Sequence, residues 1–169
     1  CVDVLAIALH NPLPELNLEK NVFIVHGRDE DALKDLQLLL FKYQVKPRVL
    51  ANTNRGPNSI LDELEVLIRT CRAGFILLTP DDEGRLRSDA GATLIPRARE
   101  NVIFETGLLF AKFRKFERVL LLLKEPTQLP SDLNGISYER YRQSVSEIES
   151  RLAASLDEWG LTAAPAPRS

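Results

Sequence analysis

Short runs of consecutive apolar residues alternate along this chain with longer amphipathic stretches, and this alternation limits the fold more than any other feature. Three runs, NVFIVHG (21–27), GFILLT (74–79) and RVLLLL (118–123), carry apolar side chains at successive positions, as strands that are buried on both faces do. PRVLA (47–51) is a shorter run, and ISYERY (136–141) is a weaker one that predicts an edge strand. Each of these segments is predicted to be a β-strand.

The stretches between the strands are predicted to be helices, because their apolar residues recur at helical spacing. Each predicted helix begins at a capping residue, a capping-box pair or a proline: Asp29, Ser59 with Asp62, Pro96, and Ser144 with Glu147. Strands that alternate with helices favour an α/β fold. We expect a parallel five-stranded sheet with helices on both faces and right-handed crossovers.

The length of the chain, 169 residues, suits one domain with one sheet and its covering helices. We expect residues 1–19 to be a lead-in or linker, residues 20–160 to form the domain, and residues 161–169, which include APAPRS, to be a disordered tail. The sequence contains no Met. This suggests a fragment of a longer protein with a further region upstream of Cys1.

Composition narrows the class of partner. The formal net charge is −2, so bulk electrostatics predict neither a nucleic-acid partner nor a membrane surface. The two cysteines and two histidines lack the spacing of a zinc site or a disulfide framework, so we expect no metal and a reducing, cytoplasmic setting. The G-x-G-x-x-G and P-loop motifs are absent, which excludes dehydrogenases and NTPases of those types.

The loops that follow the first three strands are expected to meet at one edge of the sheet, where parallel α/β proteins bind ligands. Gly27 would let the backbone approach a ligand there, and Arg28 could hold a phosphate through two hydrogen bonds. A tight turn with a solvated arginine explains these two residues equally well. Asp81 and Asp82 could bind a ribose, although a turn is the favoured interpretation.

One carboxylate, Glu105, lies in RARENVIFETG (97–107), which otherwise has the pattern of a buried helix. The residues three and four positions away are one amide and three aliphatic side chains: Asn101, Val102, Leu108 and Leu109. An ionised carboxylate in such surroundings is costly unless it has a partner or a function. Both interpretations stay open, because the chain also offers three arginines as structural partners: Arg28, Arg97 and Arg99.

Three segments, in order, resemble the signature blocks of the bacterial TIR-like domain family of anti-phage effectors: VFIVHGRDE (22–30), LLTPDDEG (77–84) and RARENVIFETG (97–107). The resemblance covers roughly residues 20–142. It implies a flavodoxin-like, three-layer TIR fold and an NAD+-cleaving activity in a protein that also carries a cyclic-nucleotide sensor. The segment GPNSILDE (56–63) departs from the family's Gly-x-Thr-Ile-Ile-Glu pattern, so the conformation of that loop does not follow from the resemblance.

By this resemblance Glu105 falls on the catalytic glutamate of an NAD+ glycohydrolase, which depletes cellular NAD+ when a sensor drives the domains to self-associate. NAD+ would be the substrate, and no cofactor would be needed. Nicotinamide in NAD+ is already a cationic leaving group, so one carboxylate can suffice to stabilise the oxocarbenium-like charge on the ribose. We expect a donor, Asn101 or an arginine, to keep Glu105 ionised. The candidate substrate-binding residues are Gly27, Arg28, Asp29, Asp81, Asp82, Arg97 and Asn101.

Two other classes of function remain open at this stage. In a TIR-type adaptor, the domain would serve assembly alone and Glu105 would anchor a loop. In a phospho-acceptor receiver domain, acids would follow the first and third strands and a lysine the fourth, which Asp29, Asp81 and Lys124 imitate. The imitation is poor, because both acids lie further from the strand ends than in a receiver.

Overall fold

The predicted strands form one parallel sheet in the computed structural model, which describes residues 20–50, 57–85, 87–89, 91–113, 117–133 and 135–162. In chain order the strands are β1 (Asn21–Val25), β2 (Lys46–Val49), β3 (Ala73–Leu78), β4 (Asp82–Gly84), β5 (Ile95–Arg97), β6 (Val119–Lys124) and β7 (Tyr138–Tyr141). The five-stranded sheet has the order β2-β1-β3-β6-β7, with every neighbouring pair parallel. This is the strand order of flavodoxin-like folds, and it confirms the predicted α/β class and the edge position of β7.

Helices cover both faces of the sheet, as predicted: α1 (Glu30–Lys42), α2 (Pro57–Thr70), α3 (Glu100–Phe113) and α4 (Glu149–Glu158). Side chains of α1 and α4 form one core against one face, and those of α2 and α3 form a second core against the other. Successive residues of each central strand point to opposite cores. In β1, Ile24 belongs to the first core, and Phe23 and Val25 belong to the second. The uninterrupted apolar runs in the sequence follow from this burial on two sides.

A glycine in β3 lets α3 pack closely on the sheet. A Cβ atom added to Gly74 would lie 2.4 Å from Leu109 Cδ2, and Leu109 is completely buried. Leu109 lies about one turn beyond Glu105 on the same helix. The contact between Gly74 and Leu109 therefore fixes the position of the helix that carries the glutamate.

Two of the predicted caps are confirmed. The Asp29 carboxylate accepts a hydrogen bond from the Ala32 N–H at 2.9 Å, at the start of α1. Ser144 and Glu147 form a complete capping box at the short 3₁₀ helix Val145–Ile148, which leads into α4.

Two predicted helix starts are wrong. The helix does not start after Ser59, because α2 already begins at Pro57. The fixed φ angle of proline suits the first turn of a helix, so the helix starts there rather than at the serine. Pro96 does not open α3. It lies in β5, and α3 begins only at Glu100.

The segment between β3 and α3 contains an antiparallel ribbon that periodicity did not predict. β4 and β5 pair with Glu83 opposite Pro96. The Gln128 N–H donates a hydrogen bond to the Pro96 carbonyl at 2.8 Å. Partners that are distant in sequence thus hold Pro96 extended, and each strand has only 3 residues, too few to show an alternating pattern.

The ordered domain extends past Gly160, so the expected tail begins too early. Leu161 is completely buried in the core formed with α1 and α4, and its N–H donates to the Leu156 carbonyl at 2.8 Å. An apolar side chain just after a helix can still pack into the core. The composition of residues 161–169 as a whole does not reveal the burial of this one residue. The predicted lead-in (1–19) and residues 163–169 lie outside the described residues. Among the helices that are described, none has the length and apolarity to cross a bilayer.

Replacing Gly74 by alanine should lower the free energy of unfolding by about 1–3 kcal/mol, because the new methyl group would overlap Leu109 and displace α3. Gly107→Ala is the matched control on α3 itself, since a Cβ there meets no atom within 4 Å. Removing a glycine from a helix interior should raise stability by about 0.5–1 kcal/mol. Denaturant unfolding of both variants measures the two effects, and shifts of the same sign would contradict this account of the packing.

Candidate active site

The strand order reverses between β1 and β3, and the loops that follow these two strands meet at that point. Ligands of open parallel sheets bind at such a reversal, beyond the carboxyl ends of the strands. Gly27, Arg28 and Asp81 lie there in direct contact with one another. The structure therefore brings together three of the residues that the sequence singled out.

The Asp81 carboxylate ties the two loops together. Its Oδ2 atom accepts hydrogen bonds from the Arg28 N–H at 3.0 Å and from Thr79 Oγ1 at 2.9 Å. Glycine is required beside it, because a Cβ on Gly27 would lie 1.7 Å from the same oxygen. We call Gly27, Arg28, Thr79 and Asp81 the loop bracket. It holds the Arg28 backbone in place and leaves the Arg28 residue exposed.

Asp29 is also held by the protein. Besides capping α1, its carboxylate accepts a hydrogen bond at 2.6 Å from Lys124 Nζ, at the end of β6. Burial alone would raise the pKa of Asp29, but the hydrogen bonds from Lys124 and from the Ala32 backbone hold it below its usual value. Asp29 is therefore an ionised partner of Lys124 that joins the ends of β1 and β6.

Asp82 and Arg97 lie on the ribbon, not in the loop bracket. They face each other across β4 and β5. The Arg97 guanidinium lies against Gly84, where an added Cβ would come within 2.7 Å of its Cζ atom. The ion pair of Arg97 with Glu100 is long, 3.7 Å, and both side chains are largely exposed. Arg97 is thus positioned mainly by packing on the ribbon.

Glu105 lies half-buried in the second turn of α3, next to Val102 and Leu109 of the core. Within the described part of the chain its carboxylate forms neither a hydrogen bond nor an ion pair. Burial raises the pKa of Glu105 to about 7, and the charge of Arg99 opposes this rise only in part. Asn101, the expected donor, is exposed.

These observations concern the donor that we expected beside Glu105 and the alternative of an arginine that anchors it. No donor from the described residues keeps the carboxylate ionised, and no described arginine forms the ion pair that an anchoring role would need. Asn101, Arg28 and Arg97 are exposed. Arg99 is half-buried and lowers the pKa of Glu105 through its charge, but it forms no ion pair with the carboxylate, which lies next to the apolar side chains of Val102 and Leu109.

Three buried polar atoms at the same edge of the sheet have no hydrogen-bond partner among the described residues: His26 Nδ1, Thr127 Oγ1 and Tyr141 Oη. Burial raises the pKa of Tyr141, and the negative charges of Asp29 and Asp35 raise it further. Thr127 and Tyr141 were not among the site residues predicted from the sequence. The available signal was their position, because Tyr141 ends β7 and Thr127 closely follows β6.

The other potentially reactive side chains are less suited to catalysis or metal binding. Cys71 is buried, which raises the pKa of its thiol to about 12 and makes it a poor nucleophile. In the part of the chain that the structure covers, no three His, Cys, Asp or Glu side chains are grouped as metal ligands would be. Glu105 is the described carboxylate whose pKa is raised to about 7, close to neutral pH.

The segment that contains the five-stranded sheet is similar in sequence to known proteins. The sequence model described as "CAP12/Pycsar effector protein, TIR domain" matches residues 21–143. YuaY of Escherichia coli (strain K12), named as an uncharacterized protein, is 31% identical over 131 residues, which are 76% of this chain and 43% of YuaY. Protein tirC of Dictyostelium discoideum is 28% identical over 138 residues, which are 78% of this chain and 69% of tirC.

A third relative carries a more specific name. The CD-NTase-associated protein 12 of Sphingobacterium faecium is 29% identical over 90 residues, which are 53% of this chain and 26% of that protein. The chain thus spans less than half of the length of this relative and of YuaY. Among solved structures, the CMP N-glycosidase BcmB of Clostridium botulinum is similar in fold, with a TM-score of 0.54 at 15% identity, over 79% of this chain and 98% of that one.

Glu105→Gln should change how stability depends on pH. The folded-state pKa of Glu105, about 7, lies above the value of 4.5 for a free glutamate, so the folded protein binds the proton more tightly and stability falls as pH rises through this window. The variant lacks this loss. Its free energy of unfolding should exceed that of the wild type by roughly 1–3 kcal/mol at pH 8, and the two should be nearly equal near pH 4. Urea unfolding across this range provides the comparison, and a variant less stable than wild type at pH 8 would indicate an anchoring role instead.

Gly27→Ala should break the loop bracket, because its methyl group would occupy the position of the Asp81 carboxylate. We expect a loss of about 1–3 kcal/mol in the free energy of unfolding, from an unsatisfied carboxylate and a lost bond to the Arg28 N–H. Faster hydrogen exchange at the Arg28 amide would accompany it. Gly91→Ala is the control, since a Cβ there meets nothing within 4 Å. Unchanged exchange at Arg28 in Gly27→Ala would disprove the bracket.

Proposed function

Because the chain belongs to the family of TIR domains of CAP12/Pycsar effector proteins, we propose that it cleaves NAD+ between nicotinamide and ribose, with Glu105 as the catalytic carboxylate. The observation that carries this proposal is the half-buried Glu105, which has no partner among the described residues. An unpaired carboxylate at low dielectric weakens the fold. A carboxylate that lacks a partner in the free protein is expected where a bound ligand supplies that partner.

NAD+ supplies the positive charge that the site lacks. When the bond between ribose C1′ and the ring nitrogen breaks, nicotinamide takes both bonding electrons and leaves as a neutral molecule. The positive charge moves to C1′ and the ribose ring oxygen, where the Glu105 carboxylate stabilises it. Water then adds to C1′ and loses a proton, which gives ADP-ribose. No general acid is required, unlike the pair of carboxylates that ordinary glycoside hydrolysis uses.

The substrate also brings Glu105 into its active protonation state. With a pKa of about 7, a large fraction of the free protein carries a neutral Glu105 at neutral pH. A cationic ring nearby favours the ionised form and lowers that pKa. Substrate binding therefore provides the ionisation that the sequence analysis had assigned to a protein donor.

Arg28 and Asn101 are the exposed polar residues that we assign to substrate contacts. The loop bracket fixes the Arg28 backbone, and its guanidinium can reach the pyrophosphate of NAD+. Asn101 lies one turn before Glu105 on the same side of α3, which suits a contact with the ribose. The other candidates at this edge hold the loops in place: Gly27, Asp29 and Asp81.

The fold of BcmB supports cleavage of an N-glycosidic bond. That protein is named as a CMP N-glycosidase, so a protein of this fold can act on the bond between a base and a ribose. The similarity to BcmB supports the type of reaction only. The choice of NAD+ as the substrate rests on its positive charge, which the Glu105 carboxylate would stabilise.

We propose further that the domain acts in anti-phage defence in the cytoplasm, when a cyclic-nucleotide-sensing part of the full-length protein clusters several TIR domains. The name of the CD-NTase-associated relative supports a link to such signalling. Phe104, next to Glu105 on α3, is 57% exposed and offers an apolar contact to a neighbouring copy.

One rival function remains, a TIR domain that only assembles. The exposed Phe104 suits it equally well, but it gives no reason for an unpaired carboxylate beside that residue. The receiver-domain interpretation is wrong, because the chain belongs to a TIR family and both of its imitating acids are bound within the protein.

Purified domain, clustered on a scaffold, should release nicotinamide from NAD+, and Glu105→Gln should lower the rate at least about a hundredfold, since the charge that stabilises the transition state is lost. Asp157→Asn, at an exposed position of α4, is the control for a removed carboxylate and should keep the rate. For the wild type, kcat/KM should rise with pH through about 7, and kcat should reach its plateau at lower pH, because bound NAD+ lowers the Glu105 pKa. A Glu105→Gln variant as active as wild type, or a clustered wild type that leaves NAD+ intact, would support the assembling rival.

A further inference from the structure

A cleft lies beside α3, and Glu105 is not among the residues that line it. It has a volume of 830 Å³ and is bounded by the first turn of α3, the segment after β6 and the edge strand β7. Its lining includes Arg97, Arg140 and Tyr138, together with apolar residues such as Ile103. Ile103 and Glu105 are two residues apart, about 200° around the helix, so the cleft and the carboxylate occupy different faces of α3.

Arg97 is positioned for this cleft by a glycine. Its guanidinium lies on Gly84 of β4, where an added Cβ would come within 2.7 Å of the Cζ atom and 2.8 Å of Nε and Nη1. The carboxylate of Glu100 is 3.7 Å away and 88% exposed, so it neutralises Arg97 only weakly. The guanidinium therefore keeps donors that a ligand can use, and the sequence-based assignment of Arg97 to the site of Glu105 does not fit this position.

Arg140 provides the second positive charge. Its Cζ atom lies 5.1 Å from the centre of the Tyr138 ring, a cation–π contact that steadies the guanidinium without neutralising it. Among the described residues, no carboxylate forms an ion pair with Arg140. Two guanidinium groups and one carboxylate, that of Glu100, thus line the cleft, which leaves its described lining with a net positive charge.

We propose that this cleft binds a nucleoside monophosphate or a similar phosphorylated nucleoside. The guanidinium groups of Arg97 and Arg140 hold the phosphate, for which the planar fork of arginine is well suited. The base lies against the apolar wall, which also contains Leu129 and Pro130. The polar side chains of Gln128 and Ser131 at the same wall can pair with the ribose or the edge of the base.

The size and chemistry of the cleft favour this class over a simple anion. The volume lies within the range of about 300–1,000 Å³ that is typical of small-molecule sites, far more than one phosphate fills. Its lining combines apolar residues with charged and polar ones in about equal number, so it can contact both the base and the phosphate of one ligand. The proposal does not depend on NAD+ cleavage, because it uses a different face of α3.

Titration of the purified domain with AMP, followed by calorimetry and by NMR of the backbone amides, tests this site. The amide signals of Gln128, Ser131 and Tyr138 should shift, and those of the loop bracket should not. Arg140→Ala should weaken AMP binding by at least about tenfold, since a charge-assisted contact to phosphate is lost. Gly84→Ala should weaken it as well, because its methyl group displaces only the end of the Arg97 side chain.

Arg69→Ala is the control for a lost surface arginine, because Arg69 lies on α2 in an ion pair with Glu65. It should bind AMP as tightly as wild type, and unshifted amide signals in the loop bracket separate this site from the proposed catalytic one. Shifts at Arg28 and Asp81, or unchanged affinity in Arg140→Ala, would overturn the proposal. Inorganic phosphate that binds as tightly as AMP would overturn the assignment of a nucleoside.

Discussion

Burial of the sheet on both faces is the constraint on which the rest of this structure depends. Every position of the central strands must be apolar, as β3 shows, in which all residues are buried. Polar and charged side chains are consequently confined to the strand ends and the loops that follow. The Asp29–Lys124 pair and the loop bracket are the interactions that close this edge, and both join loops from strands that are distant in sequence. The ligand site is therefore built from residues that the core cannot accommodate.

Glu105 is the exception to this segregation, and its energetics explain the chemistry that we propose. The helix that carries it is held against β3 by the contact between Leu109 and Gly74, so the carboxylate cannot move freely toward solvent. Burial then favours the neutral form. A cationic substrate reverses that preference, so the unfavourable environment of the free protein becomes favourable electrostatics in the complex. In the proposed reaction, the same burial that destabilises the ionised carboxylate in the free protein favours a positively charged substrate.

The two faces of α3 serve different purposes. One face packs on the sheet through Leu109, and Glu105 lies about one turn before that contact. The other borders a cleft whose arginines are steadied by a glycine and by an aromatic ring. The ribbon between β3 and α3 connects these regions, since its first strand follows Asp81 and its second carries Arg97. A change in this short ribbon can therefore affect both sites.

The sequence by itself determined the class of fold, the five strands of the parallel sheet, the caps at Asp29 and Ser144, and the presence of Glu105 on an apolar helical face. Each of these depends on residues that are close along the chain, where periodicity and capping chemistry act. Only the tertiary structure decided that Pro96 is extended, that Asp81 binds the loop after β1, that Arg97 lies away from Glu105, and that Glu105 has no partner among the described residues. These features depend on contacts between segments that are distant in sequence. Their energies appear only when the sheet brings the strand ends together, and so no local pattern encodes them.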